Sequence, residues 1–388
     1  MSKADRWLLP DGIEELLPEQ ARAAESLRRQ LLDLYESWGY ELVIPPLVEY
    51  TESLLVGLGG DIDLQTFRVT DQLTGRLMGV RADITPQAAR IDAHSLQRDG
   101  VVRLCYAGSV LHTRAKGPLA SRSPIQLGAE CYGDASPESD LEVVSLMLET
   151  LQRAGQRQLT LDLGHVAVYR EVMAQCQLPA ELETRFFELL QRKASTELQA
   201  FFADAQLSAQ QRSWMEALPR LHGDESVLAE ARKVFEDLPA VLQAIDDVES
   251  IARRVSARVA DLNCYFDLAE LRGYHYHTGL VFSALAPGFG QPLASGGRYD
   301  DIGAVFGRAR PATGFSVDLK ALMSKAPRPA AAAAVAAPCS DDDALWAAIA
   351  GLRESGEVVV AVLPGQPVPE QCDRQLVLDQ GQWTVTAL

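Results

Sequence analysis

Two polar side chains and a glycine share one face of an apolar run near residue 126. In the stretch IQLGAECY, Gln126, Gly128 and Glu130 alternate with apolar residues. Since successive side chains of a strand point to opposite faces, the polar three share one face and the apolar ones the other. A carboxylate held there needs a donor or a cation, because an unpaired buried charge is costly. The pattern predicts the floor of a small-molecule pocket, with a solvated outer face of the sheet as the alternative.

A second polar group stands just before a predicted helix. In VRADIT, Arg81 and Asp83 alternate at the end of a strand, and Thr85 follows where the helix TPQAARIDAHSLQ is expected to begin. Thr85 suits the N-cap position, with Pro86 at the first helical position. Helix capping and ligand contact are both open for these side chains. The two roles are compatible, because the unpaired N–H groups of a helix start can also donate to a ligand.

A third group is the run of basic and aromatic residues in ELRGYHYHTGLVF, namely Arg272, Gly273, Tyr274, His275, Tyr276 and His277. Two histidines one residue apart on a strand face the same way and could bind a metal ion. No acidic or cysteine ligand stands at a matching spacing, so we favour a polar strand face with packed aromatic rings. In ASGGRYDDIG, the paired Gly296 and Gly297 predict a close approach by backbone or ligand.

The charge of the chain argues against a nucleic-acid partner. The 388 residues carry a formal net charge of −17, whereas proteins that hold a phosphate backbone usually present a basic field. No apolar run approaches the roughly 18 residues of a membrane span. The N-terminal stretch MSKADRWLLPDG has no apolar signal core. We therefore expect neither a nucleic-acid nor a membrane partner.

The cysteines predict a reducing compartment. The chain has six of them, and none forms a CxxC pair or stands at metal spacing with a histidine. Four lie in apolar runs, where unpaired thiols usually serve packing. We expect a cytoplasmic protein that holds neither a metal ion nor a cofactor.

The order of elements predicts an α+β fold. The predicted elements are a helix over PEQARAAESLRRQLLDLYESWGY, a strand over ELVIPPLVEY, a hairpin with its turn near 71–75, strands over about 102–112 and 124–132, a helix over Pro137–Arg153 and a strand over QLTLDLG. The two prolines of ELVIPPLVEY place that strand at a sheet edge or in an interface. Residues from about 166 to 257 are almost wholly helical, which predicts a helical insertion. Strand patterns return in ARVADLNCYFDL, YHTGLVFSAL and PLASGG.

The C-terminal part predicts a small separate unit. The alanine- and proline-rich stretch PRPAAAAAVAAP has the composition of a linker. We expect a main domain over 1–324, a linker over 325–338 and an appendage over 339–388. The pattern of the appendage is helix, strand, strand, strand.

The motifs resemble, in their order, the catalytic domain of class II aminoacyl-tRNA synthetases, in particular histidyl-tRNA synthetase, over about 8–324. GYELVIPPLVEY and its preceding helix resemble the dimer-forming first motif, and RLCYAGSVLHTR with SRSPIQLGAECYG resembles the second. LRGYHYHTGLVF is similar to the histidine-specific arginine motif, and GGRYDDIGAVFGRARPATGFSVDLKAL to the segment that ends in the third. The resemblance implies a class II synthetase-like antiparallel sheet flanked by helices, with the helical insertion and a small C-terminal α/β appendage.

Three positions depart from the family where ATP would bind, and two of them are lost arginines. In active synthetases an arginine of the second motif holds the ATP α-phosphate, and an arginine of the third clamps the γ-phosphate. The corresponding residues here are His112 and Ala321, and Arg114 replaces an acid of the ATP site. Neither alanine nor a mostly neutral histidine can replace the bidentate phosphate contact of arginine. The resemblance therefore implies that adenylate formation is lost.

The residues that would hold histidine are largely kept. By the resemblance, an acid and a threonine hold the α-amino group, a glutamine and a glutamate read the polar ends of the amino acid, and an arginine and a tyrosine complete the motif. These residues are, in that order, Asp83, Thr85, Gln126, Glu130, Arg272 and Tyr276. The second tyrosine of the histidine motif is His277 here.

A kept amino acid pocket and a lost nucleotide pocket resemble the family of ATP phosphoribosyltransferase regulatory subunits. The resemblance implies a non-catalytic chain that forms a homodimer and joins the short-form catalytic subunit in a hetero-octamer. It also implies activation of that subunit and feedback inhibition by histidine as effector. The alternatives are an active histidyl-tRNA synthetase and another class II-like ATP-dependent ligase, and both need the two lost arginines.

Overall fold

The computed structural model describes residues 7–54, 64–115, 117, 120–271, 273–274, 276–326 and 333–388. The chain divides into two compact units, residues 1–327 and 328–388. The helices of the first unit are α1 Pro18–Ser37, α2 Thr51–Leu54, α3 Thr85–Arg90, α4 Pro137–Arg153, α5 Val166–Cys176, α6 Ala180–Gln191, α7 Ser195–Asp204, α8 Ala209–Ala217, α9 Ser226–Val234, α10 Pro239–Ser256 and α11 Leu319–Leu322. A π-helical turn, Ile91–Leu96, continues α3, and 3₁₀ turns cover Leu218–Arg220 and Ile302–Phe306.

The strands of the first unit form two sheets. They are β1 Glu41–Leu42, β2 Val48–Tyr50, β3 Phe67–Thr70, β4 Leu77–Val80, β5 Val102–Ser109, β6 Ile125–Tyr132, β7 Thr160–His165, β8 His222–Gly223, β9 Asn263–Asp267, β10 Leu280–Leu285, β11 Ala294–Arg298 and β12 Ala312–Asp318. Within the described residues the main sheet has the order β1-β5-β6-β12-β11-β10-β7-β9-β8, and the small sheet is β2-β4-β3. The pairs β1–β5 and β7–β9 are parallel, and the central strands are antiparallel. The predicted antiparallel sheet flanked by helices is confirmed.

One face of the main sheet packs against α1 and α4. Leu127 and Ala129 of β6 are fully buried in the main core. Leu31 on α1 and Met147 on α4 belong to the same core, because the apolar residues of these helices recur at helical spacing. The polar side chains of the same strands therefore lie on the opposite face of the sheet.

The helical insertion is present between β7 and β9. Helices α5 to α10 fill it, as the sequence predicts, and α10 has its buried stripe at helical spacing. The two-residue strand β8 interrupts the helices and pairs with β9, so His222–Gly223 extends the edge of the main sheet.

Two local predictions need correction. The predicted strand over 41–50 is divided between two sheets: β1 pairs with β5, and β2 pairs with β4. The intervening Pro45 and Pro46 cannot donate ladder hydrogen bonds, which explains the break. The strand expected to begin near Tyr276 begins at Leu280, so His277 lies in the turn before it. The carbonyls of Gly273 and Arg298 accept hydrogen bonds in this turn.

The second unit is a four-stranded sheet with one helix. Its elements are β13 Ala334–Pro338, α12 Asp343–Glu354, β14 Val358–Val362, β15 Cys372–Asp379 and β16 Gln382–Ala387, with the strand order β14-β13-β15-β16. Val335 and Leu376 pack with Leu345 and Ile349 of α12. The stretch that the sequence predicts as a linker thus contains a strand, whose small alanines conceal the alternation of buried and exposed positions. No helix in the described part of the chain is long and apolar enough to cross a membrane.

Candidate functional site

The polar face of β6 is built against glycines of its neighbours. Glu130 is opposite Gly314 of β12, and Gly128 is opposite Tyr106 of β5. A Cβ at Gly314 would overlap the Glu130 carboxylate, and a Cβ at Gly128 would overlap the Tyr106 hydroxyl. Glycine is therefore needed at both positions so that polar side chains can lie flat on the sheet.

Asp83 and Gln126 form one half of the site. The Gln126 Nε2 donates to Asp83 Oδ1 at 2.8 Å, and the Ile84 N–H donates to Gln126 Oε1 at 2.9 Å. The Thr85 N–H donates to Asp83 Oδ1 at 2.9 Å just before α3, whose N-cap residue is Ile84. The predicted N-cap role of Thr85 is wrong, because Thr85 is already helical and its side chain is used elsewhere.

Glu130 forms the other half with three hydroxyl groups. Thr85 Oγ1 donates to Glu130 Oε1 at 3.0 Å and Tyr106 Oη donates to the same oxygen at 2.9 Å. The Tyr299 hydroxyl donates to Oε2. Burial raises the pKa of Glu130 to about 8, although these three hydrogen bonds lower it. A neighbouring charge, that of Asp83, raises it further.

Tyr299 is positioned by the buried Arg298 beside it. The Arg298 guanidinium donates to Asp140 Oδ2 at 3.0 Å and to Ser139 Oγ at 2.9 Å, which fastens the end of β11 to the start of α4. The Tyr299 N–H donates to the Ala312 carbonyl at 2.8 Å. These bonds fix the backbone from which the Tyr299 hydroxyl reaches Glu130.

Tyr276 and His277 close the site from the turn before β10. The Tyr276 ring stacks on Tyr299, with 4.9 Å between ring centroids. The Tyr276 hydroxyl is buried and has no hydrogen-bond partner within the described residues. Burial lowers the pKa of His277 to about 4, and its Nδ1 lies 3.3 Å from the Arg298 carbonyl oxygen. Arg272 and His275, which the sequence singles out, lie outside the described residues.

A cavity of about 230 Å³ lies beyond His277 on the same face of the sheet. Ser283 and Ser295 line it from β10 and β11, together with Asp162 and Glu270. Ser283 Oγ is buried and lacks a hydrogen-bond partner within the described residues. The volume is sufficient for a small polar molecule. The described residues hold no group of three or more metal-binding side chains.

A histidine and an alanine stand at the two positions where active synthetases have the phosphate-binding arginines. The His112 ring is buried, with its Nε2 2.9 Å from the Ala82 carbonyl oxygen. Ala321 packs against the main core from α11. Its neighbour Lys320 is held near Ser123 Oγ at 3.2 Å and Glu14 Oε1 at 3.4 Å. Arg122 donates to the backbone carbonyls of Asp11 and His112, and the Arg114 side chain is exposed.

The structure therefore brings together five of the six residues proposed from the sequence: Asp83, Thr85, Gln126, Glu130 and Tyr276. Sequence reasoning missed Tyr106 and Tyr299, the phenols that hold Glu130. Tyr106 lies on the face of β5 that meets Gly128, and Tyr299 lies two residues after Gly297. The alternation of side chains along each strand indicates which face each tyrosine occupies. Only the pairing of the strands shows that this face lies next to Glu130.

Comparison with known proteins gives a consistent result for both units. Residues 12–322 match the family model described as histidyl-tRNA synthetase, and residues 332–386 match the one described as ATP phosphoribosyltransferase subunit HisZ C-terminal domain. The chain is 54% identical to the ATP phosphoribosyltransferase regulatory subunit of Cellvibrio japonicus, with 100% of this chain and 98% of that protein covered. It is 55% identical to the protein of the same name from Pseudomonas putida, over the full length of both.

A solved structure resembles the whole fold. The crystal structure of an ATP phosphoribosyltransferase regulatory subunit/histidyl-tRNA synthetase from Bacillus halodurans aligns with a TM-score of 0.79 and 27% identity. The alignment covers 93% of this chain and 94% of that one.

Proposed function

The chain belongs to the family of ATP phosphoribosyltransferase regulatory subunits, and from this we propose that it binds histidine at the Glu130 site and has no synthetase activity of its own. It acts as a regulatory subunit of ATP phosphoribosyltransferase, in the first step of histidine biosynthesis. Bound histidine shifts the complex toward an inhibited state. Such feedback requires that histidine prefer one state of the complex over the other.

The observation that carries the proposal is the cluster of polar side chains around Glu130. Two carboxyl groups, Asp83 and Glu130, flank Thr85, while the described residues hydrogen-bonded to them are amides and hydroxyls. A ligand that brings charged N–H donors suits such a site, because none of these described partners carries a positive charge. Histidine offers both an α-amino group and an imidazole ring. Arg272 is expected to contribute by its place in the motif.

The proposed lack of synthetase activity is argued from the residues at the positions where ATP would bind. His112 is tied to the backbone inside the protein, and Ala321 carries no donor. Adenylate formation depends on cations placed where phosphate charge develops. Without these cations the site can hold the amino acid but cannot activate it.

We propose a cytoplasmic assembly in which a homodimer of this chain joins the short-form catalytic subunit in a hetero-octamer. Support for the homodimer comes from the open edge of β1, next to the exposed Leu42, Ile44 and Leu47. A short terminal strand beside apolar side chains is suited to pairing with a second copy of itself across a two-fold axis.

The test is the histidine response of the reconstituted complex. We expect histidine to inhibit phosphoribosyl transfer by the complex of the wild-type chain and the catalytic subunit. Replacing Glu130 by glutamine keeps the shape and removes the charge-assisted hydrogen bond, which is worth about 1.5–3 kcal/mol. The E130Q complex should still assemble and be activated, but need about ten to a hundred times more histidine for the same inhibition. The matched control is E188Q on α6, whose side chain is exposed.

Two outcomes would contradict the proposal. Identical inhibition curves for wild type and E130Q would place the histidine site elsewhere, in the catalytic subunit or between subunits. Histidine-dependent exchange between ATP and pyrophosphate by the purified chain would show that it activates the amino acid, as a synthetase or another ligase would.

A further inference from the structure

Glu130 is a buried carboxyl group whose described partners are all hydroxyls. It is 1% exposed, and its oxygens accept hydrogen bonds from the hydroxyls of Thr85, Tyr106 and Tyr299. No ion pair joins Glu130 to a basic side chain among the described residues. An isolated buried carboxylate is costly, so the group favours its neutral form unless a positive charge approaches.

Arg272 lies outside the described residues, and within them the titratable groups that bear on Glu130 from the surrounding elements are an acid and four phenols. They are Tyr106 on β5, Tyr132 on β6, Tyr299 after β11, Tyr276 before β10 and Asp83 before α3. Burial raises the pKa of each of these tyrosines well above its usual value, so all four phenols stay neutral over the physiological range. The charge of Asp83 further disfavours ionisation of Glu130.

Hydroxyl partners can satisfy Glu130 in either protonation state. A hydroxyl donates to a carboxylate, and it accepts from a carboxylic acid after rotation of its O–H bond. Arginine, lysine or a backbone N–H can only donate, so none of them could accept a hydrogen bond from the O–H of the neutral acid. The three hydroxyls therefore allow a proton to leave and return without an unpaired buried atom.

A ligand has polar atoms to meet around this carboxyl group. Among the described residues, neither the Tyr276 hydroxyl, buried beside Tyr299, nor Ser283 Oγ, in the cavity on the same face of the sheet, has a hydrogen-bond partner. His277 stands between the two, against Gly297. Gly297 is in turn opposite Gly314, on which Glu130 rests.

We propose that Glu130 selects a cationic effector by exchanging a proton: it is a neutral carboxylic acid in the empty site and a carboxylate when a positively charged N–H group binds against it. This inference rests on the proposed histidine site. The bond broken is O–H of the carboxyl group, and the proton passes to solvent or to the ligand nitrogen. With a pKa of about 8, roughly a tenth of the empty sites are ionised at pH 7. Affinity for a ligand that is already charged is then about tenfold below that of a fully ionised site.

Infrared difference spectroscopy of the full chain tests this directly. At neutral pH, addition of histidine should remove the carbonyl stretch of a protonated carboxylic acid and add the stretches of a carboxylate. The same difference should be missing in E130Q, whose folding is checked by its thermal transition. Wild-type protein that binds histidine without any such change would overturn the inference.

Calorimetry in buffers of different ionisation enthalpy identifies the nitrogen involved. If the α-amino group binds Glu130, about one proton per site should be released at neutral pH, because this amine is already charged. If the imidazole binds, release should be close to zero, because the proton lost by Glu130 is taken up by the ring. Release of about one proton supports a cationic amine on Glu130, and release close to zero supports a cationic imidazole only when the acid band also disappears from the infrared spectrum. Uptake of about one proton from a buffer near pH 7 would contradict both.

A second variant makes the test independent of E130Q. The Tyr299 hydroxyl lowers the pKa of Glu130, so Tyr299→Phe should let the acid band of the empty protein persist to higher pH. An unchanged titration of this band would contradict the role of the hydroxyls. The outcomes for the two proposals can be distinguished. If histidine does not bind at any pH, alone or with the catalytic subunit, the proposed histidine site is wrong. If histidine binds but the charge state of Glu130 does not change, only the proposed proton exchange is wrong.

Discussion

Two carboxyl groups of the same site differ because their surroundings differ. Asp83 is partly exposed and accepts from the Thr85 N–H and the Gln126 amide, which suit a carboxylate. Glu130 is buried and accepts from hydroxyls alone among the described residues, which suit either form. The alternation along β6 predicts that Glu130 faces a pocket, but the chemistry of its partners determines its charge.

The raised pKa of Glu130 predicts a dependence of stability on pH. The folded protein keeps a proton on Glu130 up to about pH 8, whereas the unfolded chain loses it near 4.5. Between these values the folded state binds more protons, so the free energy of unfolding falls as pH rises, by about 1.4 kcal/mol per pH unit from this group. Glutamine cannot ionise, so the stability of E130Q relative to wild type should increase with pH across this window.

Urea unfolding of wild type and E130Q at several pH values measures the difference in their free energies of unfolding. The pKa shifts of the other groups contribute equally to both proteins and cancel in this difference. A constant difference between E130Q and wild type from about pH 5 to about pH 8 would mean that Glu130 is already ionised in the folded protein.

At the scale of elements, the site depends on the close approach of three strands. Glu130 on β6 lies over Gly314 of β12, and Tyr106 of β5 lies over Gly128 of β6. The α3 helix then brings Thr85 onto the same carboxylate. Gly128 and Gly314 thus leave room for the polar side chains on the sheet, while the start of α3 supplies the Thr85 hydroxyl as a hydrogen-bond donor.

Gly314→Ala should therefore damage both the site and the fold. The added methyl group would overlap Glu130 Oε2, and the three hydroxyls leave the carboxyl group little room to move. We expect a loss of stability of about 1–3 kcal/mol, as for other overpacked sites. Histidine binding should be lost with it. Thermal unfolding and calorimetric titration measure the two effects.

The matched control is Gly351→Ala in the middle of α12, where a Cβ would meet nothing within 4 Å. Alanine favours the helix by about 1 kcal/mol, so this variant should be slightly more stable. If G314A retained wild-type stability and histidine affinity, the close packing of Glu130 on β12 would be wrong.

At the scale of the whole molecule, the main sheet has an open edge at β1. This strand pairs with β5 on one side only within the described residues. Ile44, two residues after its end, is 83% exposed, and Leu42 and Leu47 are about half exposed. An exposed apolar edge favours association, because burial of these side chains removes apolar surface from water.

Ile44→Asp should therefore weaken the proposed homodimer. A charge at the centre of an apolar contact is left desolvated and unpaired, which costs several kcal/mol. Light scattering at micromolar concentration should find a dimer for the wild type and a monomer for I44D. Leu73→Asp, at the 95% exposed tip of the β3–β4 hairpin, is the control that should stay dimeric. A wild-type monomer would contradict the homodimer, and an I44D dimer would place its interface elsewhere.

The sequence by itself determined the elements and the faces of the strands. Alternation in IQLGAECY predicts the buried apolar face and the polar face of β6, and helical periodicity predicts α1, α4 and the insertion of α5 to α10. These patterns are local, since they depend on the period of one helix or strand. The resemblance of the motifs to the synthetase family, rather than periodicity, singled out five of the residues that the structure groups at the site.

Only the tertiary structure decided which strands meet and what surrounds each polar group. The division of 41–50 between two sheets, the strand hidden in AVAAP and the hydrogen bond between Gln126 and Asp83 all depend on partners distant in sequence. The same holds for Tyr106 and Tyr299, which lie 24 and 169 residues away from Glu130 along the chain. Burial and hydrogen bonding set the charge of a carboxyl group. Both arise only when the strands pair, so the proton on Glu130 is a property of the fold.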